Sequence, residues 1–164
     1  MDAMSLLKDD HRKVKKLLAE LESTTERGVK TREELFTKVK HELVVHEAIE
    51  EEIFYPALKE HPKTKEIALE GYEEHHVVDT VMAEIEGVAY DDEKWGAKFT
   101  VMKENLEHHI EEEEGEMFKQ AKQVFDQDEL TQLGESMKAR KEDLMRQQAS
   151  TKKWRVRLCK GHDE

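Results

Sequence analysis

Apolar residues recur along this chain at the spacing of helix faces. Met4, Val14 and Leu18 share a side with His11, and Phe36, Val39 and Leu43 share one with His46. Val78 and Met82 flank His75 in the same way, and Phe99, Met102 and Leu106 flank His109. With only 7 Gly and 2 Pro, few positions interrupt these stripes. The pattern predicts an all-α protein of five helices. The first runs from about Ser5, read as its N-cap, to about Glu22. The second opens on the capping box Thr31-Arg-Glu-Glu34 and runs to about Glu60, with a kink expected at Pro56. A third runs from His61-Pro62 to about Glu86. A fourth follows Asp91 or Asp92 and ends near Phe125. The fifth opens on a second capping box, Asp126-Gln-Asp-Glu129, and runs to about Gln148. The basic tail 150–164 shows no clear period and reads as a loosely ordered end, so residues 1–125 and 126–164 form separate units of the expected organisation.

The chain also repeats itself. DDHRKVKKLLAELE (9–22) aligns with EEHHVVDTVMAEIE (73–86), and FTKVKHELVVHEAIEEEIFY (36–55) with FTVMKENLEHHIEEEEGEMF (99–118). The offset is 64 residues in the first block and 63 in the second. Two copies of one helix pair are therefore expected. The alignment pairs His11 with His75, His46 with His109, and Glu50-Glu51 with Glu113-Glu114. It sets aside His41, His76 and His108, whose partners are not histidines.

On a helix, positions i and i+4 point the same way, so His46 with Glu50 and His109 with Glu113 face one direction. These groups lie inside apolar stripes. A carboxylate in an apolar interior is costly unless it is paired or bound to a cation. Two helix pairs packed antiparallel about a pseudo-twofold axis would bring four His and two Glu together. A dinuclear metal site then accounts for them, each pair giving one metal two histidines. Imidazole with carboxylate suits iron, manganese or zinc. Ferritin-like sites use Glu followed by His at i+3, the reverse order, and HEAIE lacks the second histidine of a HExxH protease. Tyr72, one turn before His75, reads as a core tyrosine with a hydrogen bond. Glu51, Glu111, Glu112, Glu114 and Glu116 read mostly as a solvated face.

Composition narrows the partners. A net charge of −12 disfavours nucleic acid, and no apolar run approaches membrane-spanning length. Cys159 is the sole cysteine, so no intramolecular disulfide forms, and the chain reads as cytoplasmic.

DDH, HEAIEEEIFYP, EEH and HHIEEEEGEMF, in that order, resemble the hemerythrin-like (HHE cation-binding) domain family over about residues 4–122. The resemblance implies an antiparallel up-down four-helix bundle, here with an additional C-terminal helix. It implies two iron ions bridged by carboxylates and an oxo or hydroxo group. By position, His11, His46, His75 and His109 would be ligands, with Glu50 and Glu113 as bridges. Oxygen-carrying members have a further histidine one turn after the third-helix ligand, where this chain has Asp79. That residue binds metal, orients a ligand or points to solvent. The departure tilts the expectation from simple oxygen carriage toward sensing or reacting with oxygen, nitric oxide or peroxide, or handling iron. The alternatives are an enzyme reducing peroxide or nitric oxide, and an interaction module in which metal is a structural staple.

Overall fold

A computed structural model describes residues 1–160, with side chains to residue 149. Among them there is no strand. The elements are α1 (Ala3–Glu22), α2 (Val29–Ile49), a π-helical turn (Glu50–Phe54), α3 (Tyr55–Lys59), α4 (Pro62–Glu86), α5 (Glu93–Glu112), a second π turn (Glu113–Met117), α6 (Phe118–Val124) and α7 (Gln127–Lys160). Each π turn joins its flanking helices without a break. The molecule is therefore five rods, four in a bundle and α7 packed outside.

Local chemistry explains most boundaries. The cap of α1 is Asp2, not Ser5: its extended backbone lets the carboxylate accept from the Ser5 N–H at 2.8 Å. α2 starts at Val29, ahead of the Thr31 box, after a Gly28 that makes no side-chain cap. Asp92 caps α5 by accepting from the Lys94 N–H at 2.8 Å. Asp126 and Glu129 form the reciprocal capping box, at 2.8 and 2.9 Å. α7 continues past Gln148 to Lys160, in place of the loosely ordered end. No Gly or Pro stands between Gly134 and Gly161 to stop it. Residues 161–164 and the side chains of Trp154 and Cys159 lie outside what is described.

The expected kink at Pro56 falls earlier and has another origin. The helix is interrupted at Glu50–Phe54, and Pro56 sits in the first turn of α3, where a missing N–H is tolerated. The second copy has the same π turn at Glu113–Met117 with no proline. Both turns open on the glutamate that the repeat singles out. Each closes with an N–H five residues on, Tyr55 to Glu50 and Phe118 to Glu113. A π turn inserts an extra residue in the helix and is often found at functional sites.

Two apolar clusters fill the bundle, one on each side of a polar layer. One holds Leu6, Leu7, Phe54, Leu58, Met117 and Phe118 among others; the other holds Leu18, Phe36, Leu43, Ile85, Trp95 and Phe99. α1 and α4 pass from the first cluster to the second, while α2–α3 and α5–α6 run the other way. This is the antiparallel up-down topology that the family resemblance implies. α7 buries Leu130 and Met137 against the first cluster. Its Gly134 lies so close to the N-terminus that a Cβ there would fall 2.7 Å from the Ala3 nitrogen. Arg140 on α7 also pairs with Glu52 at 2.7 Å.

Candidate metal centre

His11 on α1, His46 on α2, His75 on α4, His109 on α5 and the π-turn glutamates Glu50 and Glu113 converge between the two clusters. All six are at least nine-tenths buried. Their donor atoms fall into two groups sharing Glu50: His11, His46, Glu50 and Glu113, and His75, His109 and Glu50. Each helix pair thus contributes two histidines to one group. His11 Nε2 lies 3.2 Å from His46 Nε2 and 3.2 Å from Glu113 Oε1. His75 Nε2 lies 3.2 Å from Glu50 Oε2, and His109 Nε2 lies 3.3 Å from Glu113 Oε2. His46 Nε2 is in close contact with Glu50 Oε1.

The outer ring nitrogens face carboxylates that follow the same repeat. His46 Nδ1 lies 3.1 Å from Asp10 Oδ2, and His109 Nδ1 contacts Glu74 Oε2. His11 Nδ1 and His75 Nδ1 each lie 3.8 Å from a carboxylate oxygen, of Glu114 and Glu51 respectively. Asp10 pairs with Glu74 in the alignment, and Glu51 with Glu114. A proton on Nδ1 shared with such a carboxylate leaves Nε2 as a lone-pair donor aimed inward. Asp10 is held in turn by the Lys141 ammonium of α7. That links the outer helix to the centre.

The phenol of Tyr55 breaks the symmetry beside the donors. Tyr55, fully buried at the start of α3, places its hydroxyl 2.5 Å from Glu50 Oε2, 2.8 Å from Glu113 Oε2 and 3.3 Å from His75 Nε2. Its partner in the repeat is Phe118, so the centre has a phenol on one side only. Room for the phenol comes from Gly71 of α4, where a Cβ would fall 2.8 Å from the ring. The partner of Gly71 is Leu7. Tyr72, the tyrosine that sequence spacing singles out, stacks edge-on against Tyr55 and donates to the Glu51 carbonyl at 3.1 Å.

Protons supply the positive charge that buried carboxylates need. Burial works against a charge on His46, but Glu50 and Asp10 outweigh it and hold its pKa well above the usual value. Burial likewise opposes His109, yet Glu113 and Glu74 raise it to about 10. Glu50 is held well below the usual carboxylate range, because His46 and His75 outweigh burial. Glu113 is lowered too, His109 and His11 prevailing over burial and the Glu50 charge. Burial, then the Glu113 and Glu50 charges, keep the Tyr55 phenol protonated as a donor. Even so, Glu50 Oε1, Glu113 Oε1 and His109 Nε2 meet only other donors of the cluster and make no well-aligned hydrogen bond. Orphaned inward-facing donors of this kind fit metal cations, and the set is imidazole and carboxylate.

The comparisons with known proteins identify a family. The family model for the hemerythrin HHE cation-binding domain matches residues 2–121. The chain belongs to the hemerythrin HHE family. A crystal structure of a hemerythrin HHE cation-binding domain-containing protein from Mycobacterium kansasii is similar to it, at 27% identity and a TM-score of 0.79. The likeness covers 88% of this chain and 87% of that one. A search of curated proteins returned no significant match.

Asp79 stands apart from the hemerythrin-type cluster. It is exposed and lines, with Glu47, the groove between α2 and α4. Burial, then Asp79, pushes Glu47 up to about 10. His41, His76 and His108 are exposed, as the repeat requires. Sequence reading missed Tyr55, Asp10, Glu74, Glu47 and Lys141. Asp10 and Glu74 carried a usable signal, since both precede a repeated histidine. Tyr55 carried none in the repeat, though Gly71 inside a long helix is a residue that local propensity disfavours.

Proposed function

We propose that this hemerythrin-family chain holds two irons and binds or senses oxygen, nitric oxide or peroxide at an open iron position. The observation that carries the reading is the division of six buried donors into two groups sharing Glu50, with two histidines in each. His11, His46, His75 and His109 would hold the metals, and Glu50 and Glu113 would lie between them. Bound iron would supply redox chemistry and a coordination position for a small ligand. The protein's own groups do the rest. Asp10 and Glu74 orient the imidazoles, the apolar clusters exclude water, and Tyr55 holds a proton within reach of both bridging carboxylates. We assign the protein to the cytoplasm, in keeping with its single cysteine; no helix among the described residues is long and apolar enough to cross a membrane.

A second reading has one observation behind it. The Tyr55 hydroxyl can donate a proton at the centre, which a turnover enzyme reducing peroxide or nitric oxide requires. Anaerobically purified, iron-loaded protein mixed with oxygen, nitric oxide or peroxide separates the two. A stoichiometric, reversible optical change supports binding or sensing. Sustained consumption with a reductant establishes turnover, and no response to any of the three overturns both readings.

A further inference from the structure

The two faces of the bundle beside the centre are related by the repeat but differ in charge. Between α2 and α4 lies an open groove of about 420 Å³, lined by Glu47, Glu51, Asp79, Glu86 and Lys40. The charge of Lys40 is taken up by Glu86 at 2.5 Å. Glu51 and Asp79 therefore leave the groove negative, and Glu47 adds a third carboxylate once it gives up its proton. On the related face, Glu47 is replaced by the buried Ile110, and Asp79 by Lys15, which pairs with Glu114 at 3.9 Å. One face carries three carboxyl groups where its counterpart carries an isoleucine, a lysine and the Glu114 carboxylate.

Glu47 is the residue that joins groove to centre. Its side chain lines the groove, and it also lines the small void at the centre with His46, His75 and His109. It is 7% exposed, and its Oε1 has no hydrogen-bond partner. Donor atoms of Glu47, Glu51 and His75 all lie within 4.8 Å of one another. A buried carboxylate oxygen without a partner is costly, and a cation relieves that cost. Oxygen donors of this type suit a hydrated divalent metal ion.

We propose that Glu47, Glu51 and Asp79 form a loading site for divalent metal cations, through which the buried metal pair is filled. The proposal rests on the metal reading of the six inner residues. A cation entering the groove exchanges water for the Glu51 and Asp79 carboxylates. Glu47 then gives up its proton to water in the groove, takes the cation, and passes it inward to imidazoles that likewise release their protons to solvent. The acidic mouth speeds capture by raising the local cation concentration.

The test is anaerobic stopped-flow loading of metal-free protein with cobalt(II), whose visible absorption reports occupation of the centre. Asp79→Lys copies the charge of the opposite face at an exposed position. It is expected to slow loading at least about tenfold at low salt while the final cobalt content stays unchanged. Lys15→Asp, on the opposite face, is expected to load at the parent rate because the buried Ile110 there offers no ligand to pass a cation inward. Equal rates for Asp79→Lys and parent would overturn the loading site and leave the metal centre standing. Acceleration by Lys15→Asp to the same extent as the slowing by Asp79→Lys would show a general charge effect, and would also overturn it. No stoichiometric cobalt uptake by the parent would overturn the metal centre itself.

Discussion

Replacing Tyr55 by Phe removes one oxygen atom from the centre and leaves the ring in place. That hydroxyl lies 2.5 Å from Glu50 Oε2 and 2.8 Å from Glu113 Oε2, in a fully buried position. A hydrogen bond to a charged group contributes about 1.5–3 kcal/mol, and the carboxylate oxygens left behind have no water to turn to. Metal-free Tyr55→Phe should therefore be destabilised by about 2 kcal/mol, which lowers the melting temperature by roughly 4–8 °C for a chain of this size. In the metal-loaded protein the same carboxylates are held by cations, so the loss should be much smaller. Thermal denaturation of both forms, followed by circular dichroism, gives the two numbers. Equal losses in the two forms would mean that metal does not relieve the two carboxylates of their need for the phenol. No loss in the metal-free form would refute the hydrogen bonds to the carboxylates.

Four further outcomes follow from the same geometry. Gly71→Ala places a Cβ 2.8 Å from the Tyr55 ring, so it should displace the phenol and reproduce part of the Tyr55→Phe effect despite the better helix propensity of alanine; a stabilised variant with an unchanged optical spectrum would contradict this. Glu113→Ala removes a carboxylate contacting His11 and His109, and should lower metal content below two per chain by elemental analysis; unchanged stoichiometry would contradict its bridging role. Lys141→Met leaves the buried Asp10 without its cation, and should lower the metal-free melting temperature while preserving metal content, a result that ties α7 to the centre. The fourth concerns pH. His109 is raised from 6.5 to about 10, so its contribution is complete below 6.5 and is lost as pH rises to 10. Glu47, raised from 4.5 to about 10, adds to that alkaline loss. Glu50 and Glu113 are lowered, so theirs is complete above 4.5 and is lost in acid. Metal-free protein should be most stable near 4.5, since Glu47 loses stabilisation from there upward and His109 joins it above 6.5, and metal loading should flatten the alkaline decline because the ligand imidazoles are then neutral. Melting temperatures across pH, with and without metal, check the sign.

The fold was largely legible because the stripes of apolar residues and the capping signals agree. Asp92 and the Asp126–Glu129 box mark helix starts that the structure keeps. The start of α1 was misplaced because Asp2 is a better acceptor for the Ser5 N–H than Ser5 is a cap. The π turns left no local mark, since Pro56 stands near one and nothing like it stands near the other. Within the site, the internal repeat selected four histidines out of nine and two glutamates out of an acidic run. It worked because pseudo-symmetric positions must meet at the axis. For the same reason it was blind to what differs between the copies. Tyr55 against Phe118, Glu47 against Ile110 and Asp79 against Lys15 are the asymmetric positions. They appear only when the helices are packed, and they make one side of the centre unlike the other.

The proposed function requires two metal ions held between the helix pairs. Anomalous diffraction at the iron edge, from crystals of anaerobically iron-loaded protein, locates them directly. Two peaks are predicted in each chain: one among His11, His46, Glu50 and Glu113, the other against His75, His109 and Glu50. A single peak, or peaks elsewhere with the six residues unoccupied, would contradict the account.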